Sequence, residues 1–228
     1  MNKKYSVFMR VAGVCKRQKL FVMRGVNMSD IAALDKDIII RCQNKKEADE
    51  YCAENSEYVQ VAVDSDDGEF KEVSSIPKPK KSSVLWCVYK GPITIPWGVP
   101  NLSFALESDE KVELGVSGEM KFKVIFPGSV VKILKYPEQI KAKNIRKRIF
   151  DDLKEIVHRC LSQHLETHDL STMDKNYRAL SSYIKKDIEV NVEEKEGKGL
   201  EHVLELSGFE LENFIIKEHI DYSRAEED

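Results

Sequence analysis

Three side chains in the C-terminal half of the chain have the types and spacing to bind a metal ion. Cys160, His164 and His168 are four residues apart, so on an α-helix they would share one face. Thiolate and imidazole are zinc ligands, although a closed zinc site needs a fourth. We favour a structural interpretation, because Cys160 continues an apolar stripe as a small thiol and cationic histidines suit the C-terminal end of a helix. We therefore predict no metal site and no cofactor.

Catalytic motifs are absent from the sequence. It contains no GxSxG, HExxH or Walker-type loop. Gly197-Lys198-Gly199 is too short for a phosphate loop, and the three glutamates just before it would repel phosphate. An enzyme whose cysteine and histidine meet only in the folded chain is the least favoured class. We predict that the protein is not an enzyme.

A cluster of basic residues could contact an anionic surface. Its members are Lys141, Lys143, Arg146, Lys147 and Arg148. Such a cluster can bind the phosphate groups of lipid or nucleic acid. The competing interpretation is a solvated helix face, because Lys147 and Arg148 each have an aspartate four residues further on. We keep four of these side chains as candidates for contact with an anionic surface: Lys141, Lys143, Arg146 and Lys147.

Composition and charge restrict the partners and the compartment. The 228 residues include 36 basic and 39 acidic side chains, and the net charge of −3 gives no overall attraction to nucleic acid. Five cysteines without a CxxC motif favour reduced thiols over a disulfide framework. No apolar segment has the length of a membrane span or of a secretory signal. We therefore expect a cytoplasmic protein, at most peripheral to the inner face of a membrane.

The first third of the chain has the pattern of a small α/β module of unknown type, which we assign to residues 1–68. Strands are predicted at 5–11, 19–23, 37–42 and 58–63, a helical turn at 29–34 and a helix at 45–54. Residues 74–83 contain two prolines and three lysines, the composition of a solvated linker, which we place at 69–83. A second domain is therefore predicted over residues 84–228.

The second domain is predicted around one strand with a dry face and a wet face. Between residues 112 and 124, every even-numbered residue except Gly118 is apolar, whereas most odd-numbered residues are charged. Gly118 on the dry face indicates a bulge or a close approach of another backbone. Residues 96–100 are predicted as a rigid turn, and Pro127-Gly128 as the end of the long strand.

Two amphipathic helices and a final strand follow. Apolar residues spaced by three and four predict one helix between 137 and 165, and a second begins near Asp174. The charged stretch 193–199 interrupts it, a helix resumes at 200–207, and a last strand covers 209–220. The apolar stripe of the first helix is wider than one narrow contact needs, so we predict self-association through it. The residues at that contact are Ile149, Phe150, Leu153 and Val157.

Several short features follow one another in a fixed order from residue 84 onward. They are Trp97-Gly98-Val99-Pro100, Glu107-Ser108-Asp109, the alternating strand, Phe126-Pro127-Gly128, two charged helices, and Gly208-Phe209-Glu210-Leu211 before Phe214-Ile215-Ile216. In this order they resemble the SPFH superfamily, named for stomatin, prohibitin and flotillin, and are most similar to its soluble, virion-core-like bacterial branch. Residues 1–83 lack the hydrophobic membrane segment with which that family commonly begins.

The resemblance implies a fold and a role. The fold would be α+β, an SPFH-like small and mostly antiparallel sheet packed against long amphipathic helices, here preceded by the α/β module. The role would be non-enzymatic scaffolding or self-association, in a homo-oligomer with peripheral contact to a membrane. The alternative is an adaptor whose N-terminal unit recognises a partner protein of unknown identity. Nucleic acid is not an expected partner.

Overall fold

The computed structural model describes residues 32–64, 66–76, 84–105, 111–193 and 208–222. These residues form two antiparallel sheets with helices packed against them, so the predicted α+β class is confirmed. The strands predicted at 5–11 and 19–23, and the helix predicted at 200–207, lie outside the described residues.

The elements of the described residues follow one another along the chain. They are β1 (Asp37–Cys42), α1 (Lys45–Glu54), β2 (Tyr58–Val63), β3 (Phe70–Glu72), a 3₁₀ turn (Val73–Ser75), β4 (Leu85–Tyr89), β5 (Ile93–Ala105), β6 (Lys111–Val124), α2 (Pro127–Ile133), β7 (Gln139–Lys141), α3 (Ala142–Leu165), a 3₁₀ segment (Leu170–Asn176), α4 (Tyr177–Glu193) and β8 (Phe209–Asp221).

The first sheet has five short strands in the order β3-β2-β4-β1-β7. Helix α1 connects β1 to β2 and packs on one face of this sheet. Asn44 caps α1, because its Oδ1 accepts from the Glu47 backbone N–H at 3.1 Å. In return the Glu47 carboxylate accepts from the Gln43 N–H at 2.7 Å. The predicted bounds of β1, α1 and β2 are confirmed.

Strands from both sides of the predicted linker share this sheet. β4 lies between β2 and β1 and pairs with both. β3, the 3₁₀ turn and the buried Ile76 occupy residues that the sequence assigned to the linker. The division at 69–83 therefore does not separate two folded units, because local composition does not reveal which distant strands pair.

The second sheet has three long strands in the order β5-β6-β8. The predicted alternating strand is confirmed as β6, whose apolar side chains are buried in a core that both sheets and the helices share. The predicted wet face is wrong at Gly115 and Ser117, which are buried as well. A Cβ on Gly118 would lie 1.8 Å from the backbone oxygen of Ile215 in β8. The register of the two strands shifts between Ser117 and Gly118. The bulge and the close backbone approach predicted for this glycine are therefore both confirmed.

The turn predicted at residues 96–100 is wrong, because these residues lie inside β5. Pro96 is opposite Glu119 of β6, and pairing continues to Val99 before the register shifts. Asn101, with a φ of 54°, follows that point. An edge strand such as β5 tolerates proline because one of its sides makes no ladder bonds.

Helices α3 and α4 confirm the two predicted amphipathic helices, but the prediction is wrong at residues 139–141, which form β7 instead of the start of α3. α3 spans 24 residues, and α4 begins at Tyr177 after a 3₁₀ segment that contains Asp174. α3 packs beside β5, and α4 packs against β8. The sequence did not predict α2, which starts at Pro127, a residue whose fixed φ suits the first turn of a helix. None of the described helices has both the length and the apolar content needed to cross a membrane.

Candidate interaction surface

The predicted metal-binding residues make packing contacts. Cys160 is 1% exposed, and its Sγ lies 3.8 Å from Asp187 Oδ2 on α4. Burial raises the pKa of the Cys160 thiol to about 12, so the thiol is protonated at neutral pH. The rings of His164 and His168 stack with centroids 4.2 Å apart, and burial, then the charge of His168, lowers the pKa of His164. Within the described ranges, no three His, Cys, Asp or Glu side chains are grouped closely enough to hold a metal ion.

The basic residues at the start of α3 are largely engaged within the chain. Lys141 and Lys143 both contact Asp35, at 3.7 and 3.0 Å. The hydrogen bond from Lys143 holds the pKa of that carboxyl group below its usual value. Arg146 is half-buried, and burial lowers the pKa of its guanidinium, whereas Lys147 is exposed. Two of these four side chains therefore form ion pairs with Asp35, and a third is half-buried.

The residues predicted for self-association lie mostly in the interior. Ile149, Leu153 and Val157 are at most 1% exposed, and Phe150 is half-buried. The three buried side chains are therefore not available for contact with a second copy. The stripe on α3 is wide because two elements of the same chain cover it, β5 and α4.

The wet face of β6 carries polar pairs that join it to β8. The pairs are Lys121 with Glu212 (3.3 Å), Glu119 with Lys217 (2.5 Å) and Ser117 with Glu218 (3.0 Å). Cross-strand pairs of this kind stabilise a sheet by about 0.2 to 1 kcal/mol each. The polar residues of this face are therefore explained by their role in joining β6 to β8.

An apolar and basic surface lies at the two ends of α2, and the sequence did not predict it. Ile125 is 40% exposed and Phe126 is 63% exposed just before α2, and Tyr136 is 50% exposed just after it. Residues 121–136 contain four lysines and no aspartate or glutamate. We define the α2 surface as the exposed residues Lys123, Ile125, Phe126, Lys132, Lys135 and Tyr136.

Backbone contacts fix Ile125 and Phe126 in place. The Gly208 carbonyl accepts hydrogen bonds from the N–H groups of both residues, at 2.9 and 3.1 Å. Gly208 has a φ of 87°, and a Cβ there would lie 2.6 Å from the Phe126 carbonyl oxygen. Glycine is therefore required at this position for its conformation and for its size. The Phe126 ring is therefore exposed, while the Phe126 backbone is hydrogen-bonded to Gly208, the residue just before β8.

The other end of α2 has a strained conformation. Lys135 and Tyr136 have φ values of 59° and 56°, a left-handed geometry that costs a non-glycine residue about 1 to 2 kcal/mol. The Tyr136 N–H donates to the Val131 carbonyl at 3.0 Å, and the Tyr136 ring stacks on Phe70 with centroids 5.0 Å apart. These contacts offset the strain. Backbone strain of this kind collects at functional sites, and here it occurs at two exposed residues of the α2 surface.

Comparison with known proteins adds no family to this description. No protein-family model matches the chain, and no curated protein matches it. The SPFH resemblance therefore stays a prediction.

Proposed function

We propose that the protein is a non-enzymatic scaffolding protein that contacts an anionic membrane through the α2 surface. The observation that carries this proposal is the exposure of Phe126, which is 63%, next to Ile125 in a stretch of sequence that contains four lysines and no acidic residue. Apolar groups that enter the bilayer boundary and lysines that meet anionic headgroups are the two parts of a peripheral membrane contact. A cytoplasmic location at the inner face of a membrane belongs to the proposal, because that leaflet carries anionic lipids.

The expected affinity of a single copy is low. Burying a phenylalanine side chain contributes about 1.5 to 3 kcal/mol, and the 63% exposure of Phe126 makes roughly two thirds of that available. Each lysine near an anionic surface adds about 1 kcal/mol. Together with three lysines, Phe126 gives about 4 to 5 kcal/mol, or a partition coefficient of ~10³ to 10⁴ M⁻¹. Several joined copies bind a surface more tightly than one, so self-association is part of the proposed scaffolding role.

Vesicle co-sedimentation tests the proposal, with phosphatidylcholine vesicles that contain or lack phosphatidylserine. The protein should bind the anionic vesicles, and binding should weaken as salt rises. Phe126→Ala should weaken binding about tenfold, because a loss of ~1.4 kcal/mol is a factor of ten. Replacing Lys132 and Lys135 by Gln should weaken it about 30-fold and reduce the salt dependence.

Tyr183→Ala is the matched control for Phe126→Ala. Tyr183 is 47% exposed on α4, and its hydroxyl donates to Gln163 Oε1 at 2.6 Å. This variant should bind vesicles as the unmodified protein does. Equal binding by Phe126→Ala and the unmodified protein would refute membrane contact at the α2 surface. Conversion of an oligomer to a monomer by Phe126→Ala in lipid-free light scattering would instead assign the surface to contact between copies.

A further inference from the structure

Three cysteine thiols meet beneath α1, and none of them belongs to the α2 surface. Cys87 Sγ on β4 lies 3.6 Å from Cys42 Sγ on β1 and 3.5 Å from Cys52 Sγ on α1. Cys42 and Cys87 are at most 1% exposed, whereas Cys52 is partly exposed. Cys87 is therefore the common neighbour of two thiols, one of which belongs to a partly exposed residue.

The strand register of the sheet makes a disulfide between Cys42 and Cys87 geometrically unfavourable. In the ladder, Cys42 is opposite Leu85 and Cys87 is opposite Ile40, so the two cysteines are diagonal neighbours. Diagonal positions in an antiparallel pair are about 7 to 8 Å apart, whereas a disulfide requires Cα atoms closer than about 7 Å. Closing this pair would distort the hydrogen bonds between β1 and β4.

Cys52 is not restrained in this way, because it lies on a helix. Ala48 is the buried residue of α1, and the Tyr51 ring contacts the edge of the Tyr58 ring with centroids 5.1 Å apart. Side-chain packing, and not a ladder of backbone hydrogen bonds, joins α1 to the sheet, so α1 can approach β4 without breaking a strand pair. The required approach is about 1.5 Å, the difference between the 3.5 Å contact of Cys52 with Cys87 and a bond of ~2.05 Å.

We propose that Cys52 and Cys87 form a reversible disulfide that fastens α1 to β4 when the protein meets hydrogen peroxide. The Cys52 thiolate attacks peroxide and becomes a sulfenic acid, and the released hydroxide takes up the thiol proton as water. The Cys87 sulfur then attacks the sulfenic sulfur, so that the S–S bond forms and a second water leaves. Two thiols are oxidised and one peroxide is reduced to two waters. An added thiol reductant reverses the reaction.

The difference in burial between Cys52 and Cys87 determines which of them reacts first with peroxide. Burial raises the pKa of Cys52, so its thiolate is scarce at neutral pH, and oxidation should be slow there and faster at higher pH. Burial also raises the pKa of Cys87, which is 0% exposed. Peroxide therefore reaches Cys52 first, and Cys87 reacts with the sulfenic acid formed 3.5 Å away.

Intact-mass measurement of the full-length protein before and after peroxide treatment tests the proposal. The expected result is a loss of two hydrogens, which dithiothreitol restores. Digestion without reductant should yield one cross-linked peptide pair that contains Cys52 and Cys87. Cys52→Ser should no longer lose two hydrogens on peroxide treatment, whereas Cys42→Ser should still lose them. Cys52→Ser is preferred to a change at Cys87 because Cys52 is not fully buried, and circular dichroism shows whether each variant is folded.

Two results would overturn the proposal. One is the gain of oxygen atoms without the loss of two hydrogens. The other is a cross-link that joins a different pair, such as Cys42 with Cys87. The peptide map of the unmodified protein decides between the pairs even if a variant fails to fold.

Discussion

Gly118→Ala should destabilise the protein strongly, because the three-stranded sheet has no room for a methyl group at this position. The added Cβ would lie 1.8 Å from the Ile215 carbonyl oxygen and 2.9 Å from Trp97 Cζ2. Ordinary contacts begin at 3.4 Å, so β6 and β8 would have to separate by about 1.6 Å. Neither neighbour is the flexible end of a side chain, since one is backbone and the other is an indole stacked on Phe214 at 4.9 Å.

The free energy lost follows from the interactions that this separation breaks. A backbone hydrogen bond of ordinary length, about 2.9 Å, would no longer exist after a lengthening of ~1.6 Å. We expect about two or three ladder bonds beside Gly118 to be lost, at about 1 kcal/mol each. Part of the stacking of Trp97 on Phe214, worth about 0.5 to 1.5 kcal/mol, would be lost with them. The total is about 3 to 4 kcal/mol, against roughly 5 to 15 kcal/mol for a whole domain.

Urea unfolding followed by tryptophan fluorescence measures this loss, because Trp97 is 3% exposed in the folded chain. Gly68→Ala is the matched control. Gly68 has a φ of 72°, and no atom lies within 4 Å of its added Cβ. Gly68→Ala should lower the free energy of unfolding by only about 1 kcal/mol, the cost of placing alanine in a left-handed backbone conformation. A loss in Gly118→Ala no larger than that of Gly68→Ala would refute the close packing of β6 against β8.

Two further predictions concern buried polar groups. Ser181→Ala should lower the free energy of unfolding by about 1 to 3 kcal/mol, because the buried Ile216 N–H donates to Ser181 Oγ at 2.9 Å and would lose its partner. In urea unfolding, the exposed Ser182→Ala is the control and should change stability by less than about 0.5 kcal/mol, and equal losses would contradict the reasoning. The free energy of unfolding should also fall as pH rises above ~9. Burial raises the thiol pKa values of Cys87 and Cys160 in the folded protein, so the unfolded chain loses these protons at a lower pH than the folded protein does. Rising pH therefore favours the unfolded chain. Urea unfolding between about pH 7 and pH 10 measures this decline. A free energy of unfolding that does not change over that range would refute the raised pKa values of the two thiols.

Periodicity in the sequence was enough to locate the half-buried elements. β6 and α3 each have one face in the core, so their apolar residues repeat with the periods of a strand and of a helix. The bounds of α1 were predicted from its helix-forming composition, and the structure adds that Asn44 and Glu47 satisfy N–H groups at its start. Composition failed at residues 96–100, because the same prolines are compatible with a turn and with an edge strand.

The interaction surface was harder to predict for a related reason. Ile125 and Phe126 are apolar residues at the end of an alternating strand, and nothing in that pattern distinguishes a buried residue from an exposed one. A signal was present in the lysine-rich, acid-free stretch 121–136. It became interpretable only when the exposure of Phe126 was known.

The sequence by itself determined the α+β class, the type of most described elements and the crowding at Gly118. The tertiary structure decided which apolar residues face solvent, since Ile149 and Leu153 are buried whereas Phe126 is exposed. It also brought Cys42 to within 3.6 Å of Cys87, 45 residues away along the chain. The physical reason is that an apolar pattern records the tendency of a side chain to leave water. Long-range strand pairing and helix packing determine which element covers that side chain.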